Sequence, residues 1–196
     1  MSKADPASHK KERQKAVRWV VTIFLVTIVI SAVISLISEE IMAVSGMVPA
    51  FLILLAIVLL GIVFDIIGVA VTSADEKPFH SMAARKVAGA KESIRLLRSA
   101  EKVSSICNDV VGDICGVISG SASATIAAQI LRDFEFSWPR MVGLMMSALV
   151  AGLTVGGKAI GKTFAINSST KIVYGVGRFL SFFSCVSRPA NKKTTK

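Results

Sequence analysis

Residues 48–71 read VPAFLILLAIVLLGIVFDIIGVAV, and one position among them, Asp65, is charged. About 20 apolar residues at 1.5 Å rise per residue match the ~30 Å hydrocarbon core of a bilayer. That length decides the fold class, because a backbone in hydrocarbon must satisfy its own polar groups, and a helix does so within one segment. The aspartate is the first functional signal. An ionisable side chain inside a span is costly and by default marks an ion or substrate site.

Three further stretches, about 19–37, 105–131 and 139–163, also clear the roughly 18 residues of a spanning helix. With 53% hydrophobic and 18% charged residues in 196, they predict an all-α integral membrane protein with about four transmembrane helices. Lys and Arg number six in 1–18, none in 38–48, seven in 72–104, two in 132–140 and eight in 156–196. The alternation places the N-terminus, the 72–104 segment and the C-terminus in the cytoplasm, and a bacterial plasma membrane is the expected location. These charges produce the net +10 and attract anionic lipid headgroups. They are not interleaved with aromatic residues, so nucleic acid is set aside as a partner.

The first stretch follows Lys10, Lys11, Arg13, Lys15 and Arg18 and is longer than a signal-peptide core. It is read as an uncleaved span, although Ala43-Val44-Ser45 has the small residues of a weak cleavage site. Residues 1–17 read as a polar basic arm, 18–47 as an N-terminal span with its outer loop, and 184–196 as a basic tail. Glu39 and Glu40 in that loop read as solvated, with a metal-attracting mouth as the alternative. Cys107, Cys115 and Cys185 have no metal-ligand spacing and read as small apolar side chains.

Between the second and third spans, Phe79, Met82, Ala83, Val87, Ala90, Ile94 and Leu97 recur at steps of three and four. Arg85, Lys86, Lys91, Arg95, Arg98 and Lys102 fill the other faces. The pattern predicts one amphipathic helix over 78–104 on the cytoplasmic side, lying in the interface or packed on a partner domain. A second, juxtamembrane helix is expected over 170–183. Gly112, Gly116 and Gly120, and the row Ala148, Gly152 and Gly156, let helices approach closely within the chain, between two copies, or both.

The charges converge in depth. At 1.5 Å per residue, Asp65 lies about 9 Å from the inner end of its span and Lys158 about 8 Å from the end of its own. Asn108, Asp109 and Asp113 lie about 5 to 12 Å inside theirs. Asp65, Asn108, Asp109 and Asp113 are therefore the candidate metal ligands. Oxygen donors of this kind suit Mg²⁺, which keeps several waters of its own. A local break at Gly112 or Gly116 would add backbone carbonyls. The alternatives are a structural ion-pair network closed by Lys158, and snorkelling of Asp109 to the interface. No organic cofactor is implied. His9 and His80 lie outside the spans and no nucleophile–base spacing occurs, so the chain does not read as an enzyme.

The same residues carry a resemblance. Phe64-Asp-Ile-Ile-Gly-Val-Ala-Val-Thr-Ser73 resembles the Phe-Ser-Gly-Ser-Glu-Thr-Ala-Leu-Thr-Ser signature of the CNNM/CorC (CorB-like) magnesium transporter transmembrane domain. The basic segment 83–102, with Leu96-Leu97, is similar to that family's amphipathic segment. Ile106-Cys-Asn-Asp-Val-Val-Gly112 resembles Ile-Gly-Asn-Thr-Leu-Val-Asn, and Gly157-Lys-Ala-Ile-Gly-Lys-Thr-Phe-Ala165 resembles Gly-Glu-Ile-Ile-Pro-Lys-Thr-Leu-Ala. The likeness covers roughly 50–182 in order and spacing. It implies a three-span core over 48–183, a homodimer, and a dehydrated Mg²⁺ bound in part by the residue matching Asn108.

Departures from the pattern fall on the site. Asp65 and Ile67 stand at the signature serines, Gly68 at the signature Glu, and Lys158 at a family Glu. No nucleotide-binding CBS pair follows within these residues; a separate regulatory subunit is a partner the resemblance leaves open. The expectation is a divalent-cation transporter or its minimal transmembrane core. The alternative is a non-transporting membrane interaction or regulatory protein, with Lys158 occupying the site as a tethered cation.

Overall fold

The computed structural model describes residues 6–44, 46–134 and 138–186. All regular structure among them is helical: α1 Pro6–Val44, α2 Met47–Ser73, α3 Lys77–Ala84, α4 Ala90–Arg98 and α5 Ala100–Ser105 come first. A π-helical turn, Ile106–Val111, then leads into α6 Gly112–Asp133, followed by α7 Pro139–Asn167 and α8 Ser169–Val186. Four helical segments are long and apolar enough to cross a membrane: Val17–Ser38, Met47–Ser73, Ala100–Asp133 and Pro139–Asn167. Pro139 opens α7 at its first turn, where a missing N–H costs nothing and the ring presets φ.

Helices α2, α6 and α7 form the bundle. At the end nearest the α1–α2 connection, Ala50, Leu54 and Val58 of α2 pack with Ala122 and Ile126 of α6 and Val150 of α7. At the opposite, basic end, Ala70 and Val71 of α2 meet Phe79 of α3, Ala165 of α7 and Val173 of α8. A third cluster, Val110, Ile114 and Ile118, takes Ile23 of α1 and Ile57 of α2 against it. In a bilayer, whose tails are as apolar as leucine, the water-driven term between such helices is weak and close packing would carry the assembly.

Three expectations are corrected. The polar arm is helical from Pro6, so α1 is much longer than its span. The outer loop 38–47 shrinks to the connection around Gly46, with Ser45 outside the described residues, because helix continues through Val44. The single amphipathic helix 78–104 is three helices, α3 to α5. Lys86 at φ 58° and Gly89 at φ 88° break the chain after α3, and Ser99 breaks it again before α5. A left-handed backbone ends a right-handed helix whatever the side-chain period says. The juxtamembrane helix is present as α8, while the basic tail from 187 onward lies outside the described residues.

The breaks let α4 fold back on α8. A β-carbon at Gly177 would strike Ser93 Oγ, and one at Gly89 would lie 2.7 Å from Arg178 Cα. Ser93 is fully buried at this crossing and its hydroxyl donates to the Val173 carbonyl at 3.2 Å. The outer faces of α3 and α4 carry the charge. Glu76 pairs with Arg98 at 3.1 Å and with His80 at 3.2 Å.

Candidate functional site

Asp65 shares one face of α2 with Gly61 and Gly68, four residues before it and three after. Both glycines are contact points. A β-carbon at Gly61 would lie 3.0 Å from Cys115 Cβ, and one at Gly68 would run into the Asn108 amide. These contacts set α2 against the π turn and α6, with Gly61 level with Cys115, Gly68 level with Asn108, and Asp65 between. On α7, Gly157 and Gly161 press against Ile62 and Ile66, which flank Asp65 in sequence. Lys158 reaches across from α7, its Nζ 3.5 Å from where a Gly112 β-carbon would stand.

Asp65, Asn108, Gly112 and Lys158 are thus brought to one level where three helices meet. The junction lies between the two apolar clusters that close the bundle ends. Asp65, Asn108 and Lys158 are each half-buried.

The π turn supplies the geometry around Asn108. The Gly112 N–H bonds the Cys107 carbonyl, a five-residue step, as well as that of Asp109. Such single π turns inside helices occur frequently at functional sites. Asn108 Nδ2 donates to Ser104 Oγ at 3.3 Å, which holds the amide with its carbonyl oxygen turned inward. That oxygen, Oδ1, is buried and accepts no hydrogen bond. No protein group donates to it; leaving a buried acceptor unsatisfied costs about 1–3 kcal/mol, so a water or a cation is the partner this oxygen calls for.

The aspartates form no direct ion pair among the described residues. Among the described residues no basic nitrogen lies within 4.0 Å of Asp65, Asp109 or Asp113, and the Arg98–Glu76 ion pair lies outside the spans. Asp109 accepts a hydrogen bond from Ser105 Oγ at 2.7 Å. Asp109 and Asp113 are exposed, on the side of α6 that also bears Gly116 and Gly120. The four oxygen donors expected from sequence therefore divide. Asp65 and Asn108 share the inner seam, while Asp109 and Asp113 face outward.

Among the described residues no three of His, Cys, Asp and Glu gather as a metal cluster. The seam offers one carboxylate and one amide oxygen. That set fits a hydrated Mg²⁺, which is bound by one or two protein oxygens and keeps several waters. It does not fit zinc, which takes nitrogen and sulfur ligands in a closed tetrahedron. Sequence reasoning missed Ser104, which orients Asn108. The signal was there, since Ser104 and Asn108 are four apart on one helical face.

A scan of family models, a search of curated proteins and a search of solved structures each found no match to this chain.

Proposed function

We propose that this protein binds a divalent cation, Mg²⁺ or one of similar hardness, between α2, the π turn and α7, and passes it across the membrane. The observation that carries the reading is the buried Asn108 Oδ1 without a hydrogen-bond donor, level with the unpaired Asp65. Both are hard oxygen donors at the depth of membrane-spanning helices, where such groups mark ion paths. Lys158 sits beside them as a fixed positive charge. It weakens a cation's hold, and conduction requires binding weak enough for release. The CNNM/CorC resemblance points to the same seam, with the residue matching Asn108 as ligand.

The reading extends to assembly and placement. Asp109 and Asp113 would face lipid in a lone chain, which is unfavourable at membrane depth. Next to them a groove of about 240 Å³ between α6 and α7 is lined by Gly116, Gly120, Ser147 and Ala151. A homodimer closing on this groove would cover both. The membrane is a bacterial plasma membrane with both termini cytoplasmic, and the basic faces of α4 and α8 are where a separate regulatory subunit would dock.

Lys158 Nζ near Gly112 favours a second reading, in which the lysine fills the site and the chain is a non-transporting interaction protein. Mg²⁺ flux into proteoliposomes separates the two. The first reading expects flux in the parent, reduced at least tenfold in Asp65→Ala and in Asn108→Ala. A silent parent with an active Lys158→Glu variant would establish the second. Silence in both would overturn transport altogether.

A further inference from the structure

The extra helix α1 does not lie flush on the bundle. Between it and α2, the π turn and α6 runs a partly open apolar slot of about 360 Å³, whose one hydroxyl, that of Thr22, is turned to the Arg18 carbonyl at 2.8 Å. One wall is a stripe of α1 from Trp19 through Ile23 and Val26 to Ile34, and the facing wall runs from Ile106 through Ile114 to Ile118. At 1.5 Å per residue these walls are about 22 Å and 18 Å long. One leaflet's hydrocarbon is about 15 Å deep. The slot is therefore long enough for an extended acyl chain, and its volume is in the range of ligand pockets. Left unfilled, a slot of this size would forfeit dispersion contacts of the side chains lining it.

One end of the slot is charged. Lys102 lies four residues before Ile106 on the same helical face, and its ammonium stands 5.4 Å from the centre of the Trp19 ring. That is within cation–π range, and it sets a cation over the slot's mouth. Arg18 adjoins Trp19 and is exposed, and Arg98, at the end of α4 across the break at Ser99, is paired with Glu76. Glu101 is the acid nearest in sequence, exposed beside Lys102. The mouth keeps an excess of positive charge. An apolar channel of acyl length below a lysine, an arginine and a tryptophan matches the two halves of one molecule.

We propose that an anionic glycerophospholipid occupies this slot, one acyl chain between α1 and α6 and its phosphate at Lys102 and Arg18, so that lipid joins α1 to the bundle. A membrane lipid is the occupant because the slot lies at bilayer depth, where acyl chains are the solvent. The charged mouth selects the headgroup, since each lysine near an anionic lipid surface is worth a factor of about five.

The test uses the full chain in nanodiscs of phosphatidylcholine and phosphatidylglycerol in equal parts. Native mass spectrometry counts the lipids retained on release. The parent is expected to keep one phosphatidylglycerol at least about fivefold over phosphatidylcholine, Lys102→Glu to lose most of that preference, and Val26→Trp to lose the retained lipid. Equal retention of both lipids by the parent would overturn the proposal, as would a preference untouched by Lys102→Glu. Should Val26→Trp fail to fold, photolabelling the parent with a phosphatidylglycerol carrying a diazirine on its acyl chain decides. Adducts on the Trp19–Ile34 or Ile106–Ile118 walls support the site, and adducts confined to other helices refute it.

Discussion

Helices α1 and α6 are both long, apolar and membrane-spanning in character, yet they are held in different ways. None of the most apolar stretch of α1 is buried, against 44% of the corresponding stretch of the third span. The third span buries small residues, Ser119, Ala122, Ser123 and Ala127, and α2 meets it through its own Gly61 and Gly68, where a β-carbon would crowd Cys115 and run into Asn108, while Gly116 and Gly120 have open space around them. Within its apolar run α1 carries large side chains on every face, and Phe24, Leu36 and Val20 are all more than half exposed. In lipid, apolarity alone attaches nothing. Small residues that allow close contact build the bundle, and bulky ones leave a helix to its solvent.

That contrast is most directly broken at Gly68. Gly68→Leu drives a side chain into Asn108 and is expected to cost at least the ~1–3 kcal/mol of an overpacked core. It should appear as a large fall in melting temperature in detergent. An unchanged midpoint would mean that α2 and the π turn are not in the contact described. Ile126→Ala, at a fully buried position of α6, leaves a cavity and is expected to cost about 2 kcal/mol, near the low end of the soluble range because the water-transfer term is weak. Denaturant unfolding of the two proteins side by side would show it.

The basic end sharpens the comparison from another side. Gly177→Ala strikes Ser93 Oγ and should loosen α8 from α4 by about 1–3 kcal/mol. The loss is local, so amide exchange should rise in α4 and α8 with the three bundle spans unaffected. A uniform rise across all helices would show that the clasp supports the whole fold. The smallest effect belongs to α1. Val29→Ala on its exposed face should fall within about 0.5 kcal/mol of the parent. A loss of 2 kcal/mol there would mean that a protein partner, not lipid, covers this face.

Much of the fold was legible in the chain. The four apolar runs gave the spans within a few residues, because length and polarity are what a bilayer demands of a helix. The breaks within 78–104 were harder to see. The three- and four-residue period of Phe79, Met82, Ala90, Ile94 and Leu97 continues across them, and period reports faces, not continuity. Gly89 was the available signal, a residue suited to positive φ within an otherwise helical pattern. Pro6, a residue suited to the first turn of a helix, was likewise a sign of the early helix that polar composition obscured.

At the site, depth arithmetic placed Asp65, Asn108 and Lys158 together, since rise per residue is fixed. Which way Asp109 faces was not legible. The π turn shifts the angular register of everything after it, and nothing in six residues separates a five-residue step from a four-residue one. The split itself was legible, since Asn108 lies one residue round from Asp109, on a neighbouring face, while Asp113 follows Asp109 by four residues on the same face.

The central claim is that Asn108 Oδ1 and Asp65 face a cation. The most direct measurement is thermal stability of the purified chain titrated with Mg²⁺, beside Asn108→Ala and Lys158→Glu. A ligand of the folded state adds about 2.7 kcal/mol at a hundred times its Kd. The parent should stabilise with Mg²⁺, Asn108→Ala should lose that response while still folding, and Lys158→Glu should respond at lower concentration. A parent and an Asn108→Ala variant that respond identically, or not at all, would contradict the account.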